Sequence, residues 1–226
     1  MKIRSIRILR WLLTLRTHPS ALLLFTQLLS LVLYPLMDDT QSGRVLFGAV
    51  ALVVVPLAVW VVKRSRFQNW VAWLLALPAM GLAVASIING KPTWLAVSAL
   101  FEAALYFYAA FSLISYMLQD EHVGADELFA AGATFTLLAW GFAYAFFVCQ
   151  IWYPESFVGL IEPDRPRRWM ELLFTSFTVL SGVGIGDVLP IGAPARVLVM
   201  LEEFAGVGYI AAVVSRLIGL TILRYR

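Results

Sequence analysis

Six stretches of this chain are apolar for long enough to cross a lipid bilayer, and nothing else in the sequence limits its fold so strongly. A membrane-spanning helix needs roughly 17–25 apolar residues. Ser20–Met37, Leu46–Val62, Trp70–Ile88, Thr93–Leu118, Leu128–Trp152 and Pro194–Leu220 all meet that length. Composition agrees: 61% of the 226 residues are apolar and 14% are charged, where a soluble domain is about a quarter charged. The chain reads as an all-α integral membrane protein with six transmembrane helices, resident in a lipid bilayer. Its net charge of +3 comes from arginines flanking the apolar runs, which argues against nucleic-acid binding. The single cysteine, Cys149, lies inside an apolar run and reads as a buried thiol.

The connections are short and polar. Asp38–Gly43 is a turn, Lys63–Arg66 a basic loop, Asn89–Pro92 a double helix breaker and Asp120–Glu127 an acidic loop that contains His122. Residues 1–19 form a basic segment. Its residues 2–17 are read as a helix lying on the membrane surface. Placing both termini on the cytoplasmic side puts eleven Lys or Arg inside and six outside, as the distribution of positive charge in membrane proteins requires. Trp94, Trp152 and Trp169 then fall at outer ends, and Trp70 and Trp73 near an inner one. The piece from Arg168 to Leu180 is apolar but too short to span. It reads as re-entrant.

After that piece comes Thr178-Val-Leu-Ser181-Gly182-Val183-Gly184-Ile185-Gly186-Asp187-Val-Leu-Pro190. A nucleotide-binding glycine loop would need a strand before it and a helix after it in an α/β unit, and the flanks are membrane segments. An ordinary linker explains glycines but not their strict alternation. Backbone outside a helix at membrane depth is tolerated where it lines a watery path. Alternating glycines accept φ > 0 cheaply, so they let successive carbonyls face one side. A column of carbonyl oxygens replaces the water shell of a monovalent cation.

The run Phe174-Thr-Ser-Phe177-Thr178 through Pro190 resembles the pore of potassium channels, whose filter usually reads T-V-G-Y-G-D. The stretch Arg196-Val-Leu-Val-Met-Leu-Glu202-Glu203-Phe-Ala-Gly206, followed by Val213-Val-Ser-Arg216-Leu, is similar to the inner helix of small bacterial members. The resemblance covers about Leu128–Leu220. It implies a re-entrant pore helix and filter loop between helices 5 and 6, within a pore domain over 128–226. Residues 20–127 would form a four-helix bundle. Gly182, Val183, Gly184, Ile185 and Gly186 would bind K+ (or Na+) through backbone carbonyls. Asp187 would sit at the outer mouth, Thr178 and Ser181 would support the filter, and Gly206 would be a gating hinge or a packing glycine. One loop cannot enclose a path, so the resemblance implies a homotetramer in a bacterial inner membrane, with no cofactor beyond the permeant cation.

Two positions depart from the pattern. Gly182 stands where the family has threonine, so the innermost ion site lacks a hydroxyl, and restoring threonine is expected to sharpen potassium preference. Ile185 stands where the family has tyrosine and cannot hydrogen-bond to its surroundings. Trp169, Phe174 and Phe177 are candidates for the packing around the filter. The alternatives are a weakly selective monovalent cation channel, a non-conducting relative that keeps the pore fold, and a broken-helix transporter. The fourth span carries no Lys or Arg, so it has no voltage-sensing ladder. It carries Glu102, read as a buried structural acid. Glu202 and Glu203 lie in the outer half of the last span, where one would face the pore-helix bundle and the other a neighbouring subunit, with Arg167, Arg168 or Arg196 as candidate partners. No soluble regulatory domain is expected after Leu220, and no arrangement suited to catalysis is seen, so the chain is not read as an enzyme.

Overall fold

The computed structural model describes residues 19–33, 56–60, 69–89, 92–119 and 125–224. Helix α1 is Pro19–Leu33, α2 is Asn69–Asn89, α3 is Pro92–Gln119 and α4 is Ala125–Trp152. Strand β1 (Phe157–Gly159), helix α5 (Trp169–Leu180) and strand β2 (Val188–Pro190) come next. Helix α6 (Ala193–Tyr209) continues through a π-helical stretch, Ile210–Val214, into α7 (Ser215–Arg224). Residues 56–60 are also helical.

Three helical stretches among the described residues are long and apolar enough to cross a membrane: Thr93–Leu118, Asp126–Trp152 and Ala193–Gly219. They coincide with the fourth, fifth and sixth expected spans. Shorter apolar helices, Ser20–Leu33 and Trp70–Ser86, stand at the first and third. The second is described only at 56–60. The basic N-terminal segment through residue 18, and Asp120 to Gly124 with His122, lie outside the described residues. Ala125, Asp126 and Glu127, read as part of that loop, instead open α4. Two acids in its first turn complement the positive end of the helix dipole. Asp126 also accepts a hydrogen bond from Ser20 Oγ at 3.3 Å, which ties α1 to α4.

Helix α4 is the axis of the assembly. Its span is 78% buried, against 22% for the Ala193–Gly219 span. It packs against α1, α3, α5 and α6. Between lipid-solvated helices, close packing rather than water release drives association, and small residues permit it. Gly132 approaches Leu24 of α1 so closely that a Cβ would lie 2.9 Å from Leu24 Cδ2. At Gly141 the same atom would lie 3.0 Å from the Phe107 ring of α3. Buried Ala72, Ala76 and Ala79 give α2 a flat face toward α3, where Ser98 Oγ donates to the Ala79 carbonyl at 2.9 Å. Thr136 Oγ1 donates to Gln27 Oε1 at 2.7 Å, a polar contact between α4 and α1.

Four rings close a circuit across three helices. Tyr106 of α3 meets Trp140 and Tyr144 of α4, with centroids 5.7 and 5.6 Å away. Both α4 rings meet Trp169, the first residue of α5, at 5.3 and 5.5 Å. These spacings suit edge-on and offset aromatic contact. Glu102, one turn before Tyr106, reaches the Tyr144 side chain of α4. That buried acid therefore works between α3 and α4.

The loop from α4 to α5 is held by arginines. Arg165 grips Glu171 bidentately, Nη1 to Oε2 at 2.9 Å and Nη2 to Oε1 at 2.6 Å, and also pairs with Glu162. Glu171 Oε2 accepts the Arg168 backbone N–H at 2.7 Å, so it caps the first turn of α5. Arg167 is buried and donates to the Arg165 and Glu162 carbonyls. Its Nη1 would lie 1.8 Å from a Cβ on Gly159, so a larger residue there would have to displace the guanidinium. Burial pushes the Glu171 carboxyl up, but the hydrogen bonds from Arg165 and Arg168 outweigh it and hold the group below the ordinary 4.5. A depressed carboxyl contributes stability above its ordinary value and loses it as pH falls through the depressed one. Thermal stability of the wild type should therefore drop below about pH 4.5, by under ~1 kcal/mol for a partly exposed pair. Melting curves against pH check this. Glu171→Gln should lack that share of the pH dependence.

Candidate functional site

Helix α5 is twelve residues long, and the way it ends shapes the glycine loop. Ser181 is the last residue with right-handed backbone, and Gly182 has φ +75°. The Gly182 N–H donates to the Val179 carbonyl at 2.9 Å, and the Val183 N–H to the Thr178 carbonyl at 3.0 Å. This is the paired closure of a helix by a left-handed glycine. Gly182 therefore has a local reason to be glycine. A β-branched residue at positive φ is a steric outlier, so threonine here would bring strain along with its hydroxyl.

The same bonds orient the carbonyls. The Gly184 N–H also donates to the Thr178 carbonyl, at 3.0 Å. In a trans peptide the N–H and the preceding C=O point opposite ways, and no peptide bond among the described residues is cis. Three consecutive N–H groups, of Gly182, Val183 and Gly184, point at the last turn of α5. The carbonyls of Ser181, Gly182 and Val183 therefore all point away from it. Gly184 also has positive φ, +66°, so left-handed residues alternate with Val183 between them. Residues 181–186 are all exposed. Among the described residues, no backbone N–H bonds to a carbonyl of Gly182–Gly186. Sequence reasoning counted the carbonyls from Gly182 onward. The one it missed is Ser181, whose carbonyl joins the row.

Thr178 is the hub of this turn. Its carbonyl accepts from Val183, from Gly184 and from Ser181 Oγ at 3.1 Å. Its own hydroxyl turns back to the Thr175 carbonyl at 2.9 Å. Gly186 returns alongside, where an added Cβ would lie 3.9 Å from Thr178 Oγ1. Val183 and Ile185 are 60% and 69% exposed, and Phe174 is 48% exposed. Phe177 and Trp169 pack into the core behind α5.

The exit of the loop is clipped by a feature the sequence did not announce. β1 and β2 pair antiparallel, with Phe157 opposite Pro190, Val158 opposite Leu189 and Gly159 opposite Val188. The Leu160 N–H donates to the Asp187 carbonyl at 2.8 Å, and the Ile191 N–H to the Ser156 carbonyl at 2.9 Å. Asp187 is thus held by its backbone at the point where the loop leaves the glycines. Three-residue strands carry almost no periodic signal. Only the break at Pro154 and the pairing of two separated apolar triplets hinted at the clip.

Helix α6 packs its small residues against the end of α5. A Cβ on Gly206 would lie 2.1 Å from the Leu180 carbonyl oxygen, so close packing accounts for this glycine. The irregularity in the helix lies beyond it, at Ile210–Val214. Tyr209 Oη donates to the Ala131 carbonyl of α4 at 2.6 Å, just before that stretch. Among the described residues no arginine pairs with Glu202. Glu202 is fully buried and hydrogen-bonded to Ser176 of α5. Arg167 serves the α4–α5 loop instead, and Arg196 Nε donates to the Pro190 carbonyl at 3.2 Å. Glu203 is exposed. Among the described residues no three His, Cys, Asp or Glu gather as metal ligands.

Residues 132–222 match a family model described as ion channel. The match starts two turns into α4 and runs into α7. It therefore takes in the clip, α5, the glycine loop and α6, and it supports an ion-channel domain over less than half of the chain. No curated protein and no solved structure matches.

Alanine should discriminate among these glycines. At Gly182 and Gly184 the left-handed backbone makes Cβ cost about 1–2 kcal/mol each. Gly186 has no positive φ and open space around it, so Gly186→Ala should be the mildest of the set. Gly206→Ala must displace backbone and should cost about 1–3 kcal/mol. Melting temperatures of the purified variants test the order.

Proposed function

We propose that the chain forms a passive cation channel, potassium-selective, in which four copies surround one axis. In this reading α5 is the pore helix, and the carbonyls from Ser181 through Gly186 face the path. Ions shed water near Asp187, pass in single file along the carbonyls and leave through a cavity lined by α6. One observation carries the reading. Three consecutive N–H groups are committed to the last turn of α5, so three consecutive carbonyls face the opposite, exposed side. Oxygen atoms without partners in a membrane chain need water or ions. The ion-channel match over 132–222 supports the same assignment. So does the exposure of α6, whose Val197, Met200, Leu201, Phe204 and Val207 are each at least half exposed among the described residues. Helix α3 has no Lys or Arg, so opening is not driven by an arginine ladder. The wide turn at Ile210–Val214 is the place in the inner helix where bending would start, since π-helical turns interrupt the regular hydrogen-bond ladder.

A second reading, a weakly selective monovalent cation channel, is favoured by the side-chain exposure at Val183 and Ile185. Both are mostly exposed, with little buttressing from the described residues of their own chain. A filter without that support is looser about ion size.

Recording purified protein in planar bilayers, with potassium on one side and sodium on the other, decides between them. A reversal potential close to that of potassium is expected. A value near zero rejects selectivity and leaves the weakly selective channel. Gly182→Thr should leave the carbonyl path in place while lowering the melting temperature. If threonine sharpens selectivity despite the strain, the missing hydroxyl limits the wild type.

A further inference from the structure

A buried hydrogen-bond chain links α6, α5 and α4 behind the glycine loop. Ser176 Oγ lies 2.7 Å from the Ala139 carbonyl of α4 and also bonds Glu202 Oε1 of α6. Ser176 and Glu202 are both completely buried. A serine hydroxyl has one hydrogen to give. Two oxygen acceptors stand within reach of it, and the Ala139 carbonyl has no proton of its own. Both contacts are hydrogen bonds only if a second proton is present, and the one group able to carry it is the carboxyl. The order is then Glu202 O–H to Ser176 Oγ, and Ser176 O–H to the Ala139 carbonyl. The remaining oxygen, Glu202 Oε2, is buried and has no hydrogen-bond partner among the described residues. An ionised carboxylate would leave that oxygen charged and unsolvated, which is far more costly than an unpaired neutral carbonyl.

We infer that Glu202 is held as a neutral carboxylic acid whose proton clamps the inner helix to α5, and that this clamp positions the glycine loop. Ser176 stands one residue before Phe177 and two before Thr178, whose carbonyls receive the N–H groups of Ser181, Val183 and Gly184. Gly206, one turn after Glu202 on the same helix, presses on the Leu180 carbonyl. Two contacts one turn apart on α6 therefore fix the end of α5 on which the loop folds. Glu202 is a positioning residue. Its hydrogen bond goes to Ser176, and it acts on the loop through that residue.

The clamp makes a chemical distinction that simple space-filling does not. Glutamine is neutral and donates from its amide, so Glu202→Gln keeps the chain of bonds. Leucine fills the volume and donates nothing. Infrared spectra of the purified protein at neutral pH should show a carboxylic-acid carbonyl band in the wild type minus Glu202→Gln difference. Ser176→Ala should move that band to higher wavenumber, because the acid loses its acceptor. Carboxylate stretches in the difference, or no acid band, would overturn the assignment of the proton. Amide hydrogen exchange reads the positioning role. Exchange at Gly182, Val183 and Gly184 should be at least tenfold faster in Glu202→Leu and in Ser176→Ala, and unchanged in Glu202→Gln. Equal protection in all four proteins would overturn it. Neither measurement needs current. Under the channel reading, on which this last step rests, Glu202→Leu should also lose the preference for potassium over sodium that Glu202→Gln keeps. A wild type without current would count against the channel alone, and the infrared and exchange results would still decide the clamp.

Discussion

The peptide groups between Leu180 and Ala193 have no helix to bond within, and an apolar solvent offers them nothing. The region is organised by how that demand is met. N–H groups on the entry side are taken by two carbonyls left open at the end of α5, those of Val179 and Thr178. On the exit side, Val188–Pro190 pair with Phe157–Gly159. Among the described residues the carbonyls of Ser181, Gly182 and Val183 are left without backbone partners, and all three face away from α5. A helix end always leaves carbonyls without partners. Here the adjoining loop satisfies them, and by doing so turns its own carbonyls outward. The geometry that would bind a cation is the counterpart of a helix cap.

That arrangement needs a rigid floor, and α4 supplies it. The Ala139 and Ala131 carbonyls receive bonds from Ser176 and Tyr209, one on α5 and one on α6. Trp140 and Tyr144, close to Ala139 along α4, hold Trp169 at the other end of α5. The short helix is thus fixed at both ends by one helix behind it. The Trp169 contact also joins α5 to Tyr106 of α3 through the same rings. Movement of α3 relative to α4 would reach α5 through that circuit, with Glu102 beside it. Such coupling has a physical path here, built from packed rings without a mobile charge.

Much of this was legible in the residues. Helices α3 and α4 and the helix running from α6 into α7 stand out because spans of 26 or 27 mostly apolar residues leave few alternatives. Gly182 and Gly184 were legible as positive-φ positions because their alternation has little other purpose. The clip was not legible, since three-residue strands form by pairing across about 30 residues of chain rather than by local preference. The hydrogen-bond partner of Glu202 was not legible for a related reason. An acid near several arginines suggests ion pairs, but sequence distance says nothing about which helix face it occupies. Its face is set by Gly206 one turn later, whose contact with Leu180 turns both residues toward α5. The acidic segment before α4 was read as loop because charge was weighed above helix capping, whereas Asp126 and Glu127 serve the helix start.

Gly182 is where the two demands on this loop meet. As the residue that closes α5 it needs positive φ, which excludes threonine on steric grounds. As a position in a carbonyl row it would gain an oxygen from threonine. In this chain the backbone demand prevails, and the helix closes at Ser181 with Gly182 in the left-handed region. The carbonyl of Ser181 is then aimed to the same side as those of Gly182 and Val183, so the row keeps its length in backbone oxygens while lacking a hydroxyl. The missing side chain at Gly182 is therefore better understood as a different way of ending α5 than as a damaged site.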